Sequence, residues 1–290
     1  MVTRRTFTLT MLGGAIAGVA AQAFGAQRSA LEQQLAAIES QAGGRLGVAI
    51  LDTANGRVEG WRLHERFPMC STFKVLLASA VLTRKDRGEE DLARKIAYTQ
   101  AQVVSYSPVS GPRAGSDGMT VAELCEAALT RSDNTAANLL LDSLGGPAAI
   151  TAFARGLGDP HTRLDRNETT LNEALEHDPR DTTTPAAYIA DMRELLLGER
   201  LTQASREQLI AWLVANQTGD ARLRAGLPKD WRVGDKTGTG DRGTANDVAI
   251  VWPPNRAPLL VTAYLTGALH ATPAQRDATL AKVGALVAGR

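Results

Sequence analysis

The stretch Leu46-Gly47-Val48-Ala49-Ile50-Leu51, followed by Asp52-Thr53-Ala54-Asn55-Gly56 and then Arg57 to Leu63, decides the fold. A short run of apolar and small residues bounded by turn formers reads as a strand. The turn ending in Asn55-Gly56 sends the chain back as the second strand of a hairpin, here Arg57 to Leu63. Matching strands stand at the far end of the chain, where Val248 to Trp252 and Leu259 to Leu265 are joined through Pro253-Pro254-Asn255. A helix flanks the sheet residues at each end. Ser29-Ala30-Leu31-Glu32 has the form of a capping box, and Leu31, Leu35 and Ile38 follow at helical spacing, which predicts a helix over about 29–41. Thr272-Pro273-Ala274-Gln275 repeats the signature with proline at the first helical position, and Leu280, Val283 and Leu286 supply the buried stripe of a final helix.

Between these ends, from about 71 to 229, the pattern is mainly helical. Helices are predicted over 71–84, from Thr120-Val121-Ala122-Glu123 onward, over 134–143, over Pro185 to Leu196 and over Gln203 to Ala215. Strands at both ends with helices between imply an α/β (α+β) protein: one sheet built from the two chain ends, and an inserted helical unit. A cleft between two such units is a favoured ligand site.

Composition agrees with a globular chain. Its 290 residues are 44% hydrophobic and 22% charged, with 27 glycines, 12 prolines and 2 cysteines, which excludes disorder, collagen and a disulfide scaffold. Thirty-two basic residues against thirty-one acidic ones leave +1 without any basic block, so a nucleic-acid partner is not expected. The four histidines, His64, His161, His177 and His270, lack zinc-ligand spacing, and no cofactor motif is present, so neither metal nor cofactor is expected.

The first residues depart from that composition. Arg4 and Arg5 precede Phe7-Thr8-Leu9, and Leu9 to Ala26 carries no charge. Residues 1–26 read as an export signal, and Thr3-Arg4-Arg5-Thr6-Phe7-Thr8-Leu9 has a twin-arginine form. A general secretory signal and an uncleaved anchor are the alternatives. Cleavage between about Ala23 and Ala26 leaves thirty basic against thirty-one acidic residues, a net charge of −1. The expectation is a periplasmic or secreted protein with no stable membrane association after cleavage.

Ser71-Thr72-Phe73-Lys74 stands where a loop enters a helix. Three-residue spacing puts both polar side chains on one face, where an amine can help remove the hydroxyl proton, and the helix start supplies backbone N–H groups for a developing negative charge. Alone, the pair reads as a helix cap and a solvated lysine. Two further elements join it: Ser132-Asp133-Asn134 between two helical segments, and Lys236-Thr237-Gly238 at the end of the strand-like Trp231 to Asp235.

Together the three elements resemble the signature of the class A serine beta-lactamases, within the superfamily of penicillin-binding proteins. Arg166-Asn167-Glu168-Thr169-Thr170-Leu171-Asn172 with Asp178-Pro179-Arg180-Asp181 resembles the omega loop of that family, at about 163–181. The resemblance implies a five-stranded antiparallel sheet flanked by helices, formed by 27–70 and 222–290, with 71–221 as an inserted all-helical domain. It also implies a monomer that hydrolyses penicillins and cephalosporins through an acyl-enzyme and so confers resistance.

Roles carry over residue by residue. Ser71 is the nucleophile, and Lys74 and Glu168 are the two candidate bases for acylation. Backbone N–H groups of Ser71 and Thr239 form the oxyanion hole. Ser132 passes a proton to the leaving nitrogen beside Lys236, which with Thr237 and Gly238 lines the substrate site. Asn134 meets the substrate's amide side chain, and Asn172 helps Glu168 hold the hydrolytic water. Tyr106 resembles the aromatic wall of the pocket mouth, a packing tyrosine being its alternative. Arg166 and Asp181 resemble the ion pair closing the loop's neck. Ala245 stands where many penicillinases have an arginine, and Arg222 resembles the substitute used by other members, with Arg224 or a solvated pair as alternatives. Cys70 and Cys125 lack their family partners, whose positions are Gly240 and Ala78, so both are expected as buried free thiols. A D-alanyl-D-alanine carboxypeptidase and a non-hydrolytic beta-lactam sensor are the competing functions, and Glu168 with Asn172 speaks against the first.

Overall fold

A computed structural model describes residues 28–290, so the N-terminal export signal expected at 1–26 lies outside the described residues. The chain ends build one antiparallel sheet of β1 (Arg45–Asp52), β2 (Arg57–Trp61), β7 (Arg232–Gly240), β8 (Thr244–Trp252) and β9 (Leu259–Thr266), in the order β2-β1-β9-β8-β7. Two short pairs lie outside it, β3 (Phe67–Pro68) with β6 (Thr182–Thr183) and β4 (Lys95–Ile96) with β5 (Met119–Thr120). Val48 pairs with both Trp61 and Ala263, which makes β1 an interior strand. Interior position with helices on both faces explains why Leu46–Leu51 is buried residue after residue instead of alternating.

One face of the sheet packs against α1 (Ala30–Ala42) and α9 (Pro273–Ala288), with Leu35, Val283 and Val261 in a shared core. Both helices start in the capping boxes read from the sequence, at Ser29 and Thr272. The other face shares a core with the middle of the chain: α2 (Lys74–Asp86), α3 (Val121–Thr130), α4 (Asn134–Leu144), α5 (Pro147–Gly156), α6 (Pro185–Leu196) and α7 (Gln203–Val214), with short α8 (Leu223–Gly226) leading back to the sheet. The inserted helices are thus not remote from the sheet. Tyr188 of α6 lies edge-on to Tyr264 of β9, and the Thr262 hydroxyl donates to the carbonyl of Pro185.

Four local features differ from the sequence reading. The second hairpin strand stops at Trp61, because Arg62 turns into the left-handed region at φ 49°. Helix α5 was not expected; it begins after Gly145 and Gly146, both at positive φ, with Pro147 at its first position. Ser71 lies in a 3₁₀ turn, Cys70–Phe73, and the α-helix begins only at Lys74. Strand β7 runs on to Gly240, so Lys236-Thr237-Gly238 lies within a strand, paired to Val248, Asp247 and Asn246, and not at its end. Hydrogen bonding to β8 sustains that extension, which local propensity does not favour. Among the described residues no helix is long and apolar enough to cross a membrane.

Candidate active site

The turn that carries Ser71 is held from several sides. Cys70 adopts φ 46°, the backbone N–H of Met69 donates to the Asp181 carbonyl at 2.9 Å, and Asn246 Nδ2 donates to the carbonyls of Pro68 and Met69 at 2.8 and 3.0 Å. From below, the buried Tyr188 hydroxyl donates to the Thr72 carbonyl at 2.5 Å. The left-handed Cys70 bends the backbone and the other contacts keep it bent, a local strain of the kind found at reactive sites.

Three groups meet at the end of that turn. Lys74 Nζ lies 3.0 Å from Ser71 Oγ and 2.9 Å from Glu168 Oε1, and Ser71 Oγ lies 3.0 Å from the same carboxylate oxygen. Neither the lysine nor the glutamate side chain is exposed. Lys74 also donates to the Ser132 carbonyl at 2.9 Å and to Asn134 Oδ1 at 2.7 Å. Burial pushes the Lys74 ammonium below the usual lysine range, and the adjacent Glu168 carboxylate opposes the shift. A lysine that gives up its proton readily is suited to accept one from Ser71. Glu168 is equally in reach, so both candidate bases contact the hydroxyl.

The second serine is placed by its neighbour. Ser132 takes φ 54° between α3 and α4, and the buried carboxylate of Asp133 accepts from the backbone N–H groups of Val109, Ser110 and Ala136, each at 2.9 Å. This aims Ser132 Oγ at Lys236 Nζ, 3.0 Å away. Burial drives the Lys236 ammonium well down, and repulsion from Lys74 adds to it. An anion arriving there relieves both effects. Lys236 Nζ also donates to the Thr237 carbonyl at 2.8 Å, and Thr237 Oγ1 lies 2.5 Å from Thr218 Oγ1.

Strand β7 passes close behind the turn because two of its residues lack side chains. A Cβ on Gly238 would stand 2.7 Å from the Met69 carbonyl oxygen, and one on Gly240 2.6 Å from Cys70 Sγ. Only glycine permits this approach. Cys70 and Cys125 are buried free thiols, as expected from their missing partners.

The omega loop carries Glu168 to the site. Arg166 Nε donates to Asp181 Oδ2 at 2.6 Å, and Asp181 Oδ1 accepts from the backbone N–H groups of Asp165 and Arg166. Arg166 is thus paired with Asp181 at the neck, and with Glu173 at 2.5 Å. Asn172 Nδ2 donates to Glu168 Oε2 at 2.6 Å, while its buried Oδ1 has no partner among the described residues. Asn138 escaped the sequence reading. Its Oδ1 accepts from the Glu168 N–H and its Nδ2 donates to the Glu168 carbonyl, at 2.9 and 2.8 Å. The signal was present: Asn138 follows Asn134 by four residues and so shares its helix face. Asp133, Asn246 and Tyr188 were missed as well, because the partners that tie them to the site, Val109 and Ser110, Pro68 and Met69, and Thr72, are remote in sequence.

The remaining candidates lie around this centre. Tyr106 is 61% exposed with φ 58°, and its carbonyl accepts from the Asn134 N–H at 3.0 Å. Asn134 is committed on both sides, donating to the Ser105 carbonyl at 2.9 Å as well as accepting from Lys74. Arg222 is 9% exposed and reaches under β7, donating to the carbonyls of Gly238 and Asn246 and to Thr239 Oγ1, each at 2.7 Å, and to Asp277 at 2.8 Å. Arg224, its alternative, pairs instead with buried Asp235.

Residues 30–290 match the beta-lactamase enzyme family. Beta-lactamase CTX-M-97 of Escherichia coli is 48% identical over 252 residues, which cover 87% of this chain and 86% of that protein, and beta-lactamase CTX-M-8 of Citrobacter amalonaticus matches to the same extent. Among solved structures, an ancestral class A beta-lactamase superposes with a TM-score of 0.87 at 64% identity, covering 89% of this chain and 98% of its own. The last common ancestor of Gram-negative class A enzymes gives a TM-score of 0.88 at 64% identity, covering 90% and 99%.

Proposed function

The chain belongs to the class A serine beta-lactamases and hydrolyses beta-lactams through a serine acyl-enzyme, and from that premise we propose how its residues divide the work and which drugs it takes. Ser71 Oγ attacks the lactam carbonyl as its proton passes to Lys74 or Glu168. The backbone N–H groups of Ser71 and Thr239 receive the oxyanion, each such donor being worth about 3 kcal/mol in related sites. The carbon–nitrogen bond breaks as Ser132, held by Lys236, gives the nitrogen a proton, and the group that took the Ser71 proton returns it to Ser132 so that both serve again. A water oriented by Glu168 and Asn172 then adds to the ester carbonyl, Glu168 takes its proton, and that proton passes to Ser71 Oγ as the ester bond breaks, restoring the hydroxyl and Glu168 together.

The observation that carries this reading is the buried triangle of Ser71 Oγ, Lys74 Nζ and Glu168 Oε1, with sides of 2.9 to 3.0 Å. The unpartnered Asn172 Oδ1 beside it supports a polar occupant such as the hydrolytic water. Penicillins and cephalosporins are the proposed substrates, their carboxylate drawn to Lys236, Thr237 and the Thr239 hydroxyl that Arg222 holds. Asn134 and exposed Tyr106 border the opposite, side-chain end. A chromogenic cephalosporin tests the scheme: many turnovers by the wild type, abolished in Ser71→Ala, are expected. Turnover persisting in the variant would overturn the choice of nucleophile. A stoichiometric burst without turnover would favour the sensor.

Export by the twin-arginine route to the periplasm, with cleavage between about Ala23 and Ala26, is proposed from Arg4, Arg5 and the uncharged run after them. N-terminal sequencing of exported protein should begin near residue 27. A product retaining Arg4 and Arg5 would refute it.

A further inference from the structure

Against the omega loop lies a cavity of about 620 Å³, the size of a small-molecule site. Pro68 and the limb of the omega loop from Ala174 to Pro179 are part of its lining. Two observations define its chemistry. Five large hydrophobic side chains are exposed among the described residues, and two of them, Leu175 and Leu269, line this one cavity. The charges lining it are also unequal in their partners. Arg45 is matched by Glu65 at 3.0 Å, Asp178 by Arg180 at 2.7 Å, and Glu176 stands at the rim beside His177. Arg66 and Arg242 have no carboxylate partner among the described residues. Among the described residues the Arg66 side chain donates only to the His161 carbonyl and the Thr182 hydroxyl, and exposed Arg242 makes no side-chain hydrogen bond.

We propose that this cavity binds a small organic anion with an apolar body, its acid group between the unpaired guanidinium groups of Arg66 and Arg242 and its body against Leu175 and Leu269. An amphiphilic anion satisfies both surfaces at once. A purely apolar molecule leaves the guanidinium groups unanswered, and an inorganic anion leaves the leucines in water. None of Ser71, Lys74, Ser132, Glu168 and Lys236 lines the cavity, so the proposal does not depend on the roles assigned to them.

The probe is 8-anilinonaphthalene-1-sulfonate, compared with its uncharged analogue N-phenyl-1-naphthylamine, titrated by fluorescence into native full-length protein. Arg242→Glu should weaken the sulfonate about tenfold through loss and reversal of one charge, while leaving the neutral probe within about twofold. Leu269→Asp should weaken both probes. The sulfonate should not raise KM for a chromogenic cephalosporin. Sulfonate binding unaffected by either substitution, or competitive with the cephalosporin, would overturn the proposal, as would an equal loss of both probes in Arg242→Glu. Near-ultraviolet circular dichroism of each variant confirms that the fold under comparison is native.

Discussion

Replacing Glu168 with Gln removes one charge from the site and leaves its shape nearly unchanged. The amide oxygen can still accept from Asn172 Nδ2, which now reaches the carboxylate at 2.6 Å, and Asn138 still clamps the loop backbone on both sides of residue 168. Two things change. The proposed base for the hydrolytic water is gone, and general-base catalysis of this type is worth about 10² to 10⁴-fold. Lys74 also loses the carboxylate 2.9 Å away that opposes the lowering of its pKa by burial. An uncompensated charge in a dry site would cost about 3 to 5 kcal/mol, but Lys74 can shed its proton and escape most of that cost. A neutral Lys74 beside Ser71 is a competent base, so acylation survives while deacylation falls by about a thousandfold, or roughly 4 kcal/mol of barrier. Mixed with benzylpenicillin, Glu168→Gln should accumulate an adduct of the intact drug on Ser71, seen by intact-mass spectrometry within seconds and persisting for minutes. Turnover near the wild-type rate with no adduct would refute the assignment of Glu168 to deacylation. Loss of acylation itself would refute the sufficiency of Lys74.

Other substitutions probe the surroundings. Asp191, buried in α6, has its carboxyl pushed up to about 9 by burial and by neighbouring Asp159, from an ordinary 3.8. Between those values the folded protein holds a proton that the unfolded chain has released, so this group lowers stability as pH rises and its effect levels off above about 9. Asp191→Asn should therefore raise Tm more at pH 8 than at pH 5, and an equal shift at both would refute the titration. Gly238→Ala places a Cβ 2.7 Å from the Met69 carbonyl oxygen; the expected displacement of β7 from the nucleophile's turn should lower kcat/KM at least about tenfold, with wild-type kinetics the contrary result. Arg222→Gln loses the hold on Thr239 Oγ1 and should raise KM for carboxylate-bearing drugs by about tenfold, with little effect on ester analogues of the same drugs. Equal losses for acid and ester would show that Arg222 acts on the fold alone.

The hairpin after Leu46, the two capped helices and the C-terminal strands were legible because each is written in a local pattern of apolar spacing and turn residues. Ser71 with Lys74, and Ser132 with Asn134, were legible because short spacing puts chemically matched groups on adjoining positions. Asn138 shows the limit. Asparagine on a helix is ordinary until the loop bearing Glu168 is seen lying across it.

What the sequence determined by itself was an inventory: a sheet from both chain ends, helices between, and the residue types for acyl transfer in family order. Tertiary structure alone decided where those groups stand. Ser71 leaves the helix for a 3₁₀ turn because Cys70, Asp181, Asn246 and Tyr188 bend and pin the backbone there, and all but Cys70 are far away in sequence. Lys236 lies inside a strand because β8 pairs with it, and Lys74 is driven toward its neutral form because packing removes its water. Register, burial and proton affinity arise from long-range contacts, which no local reading of residue order contains.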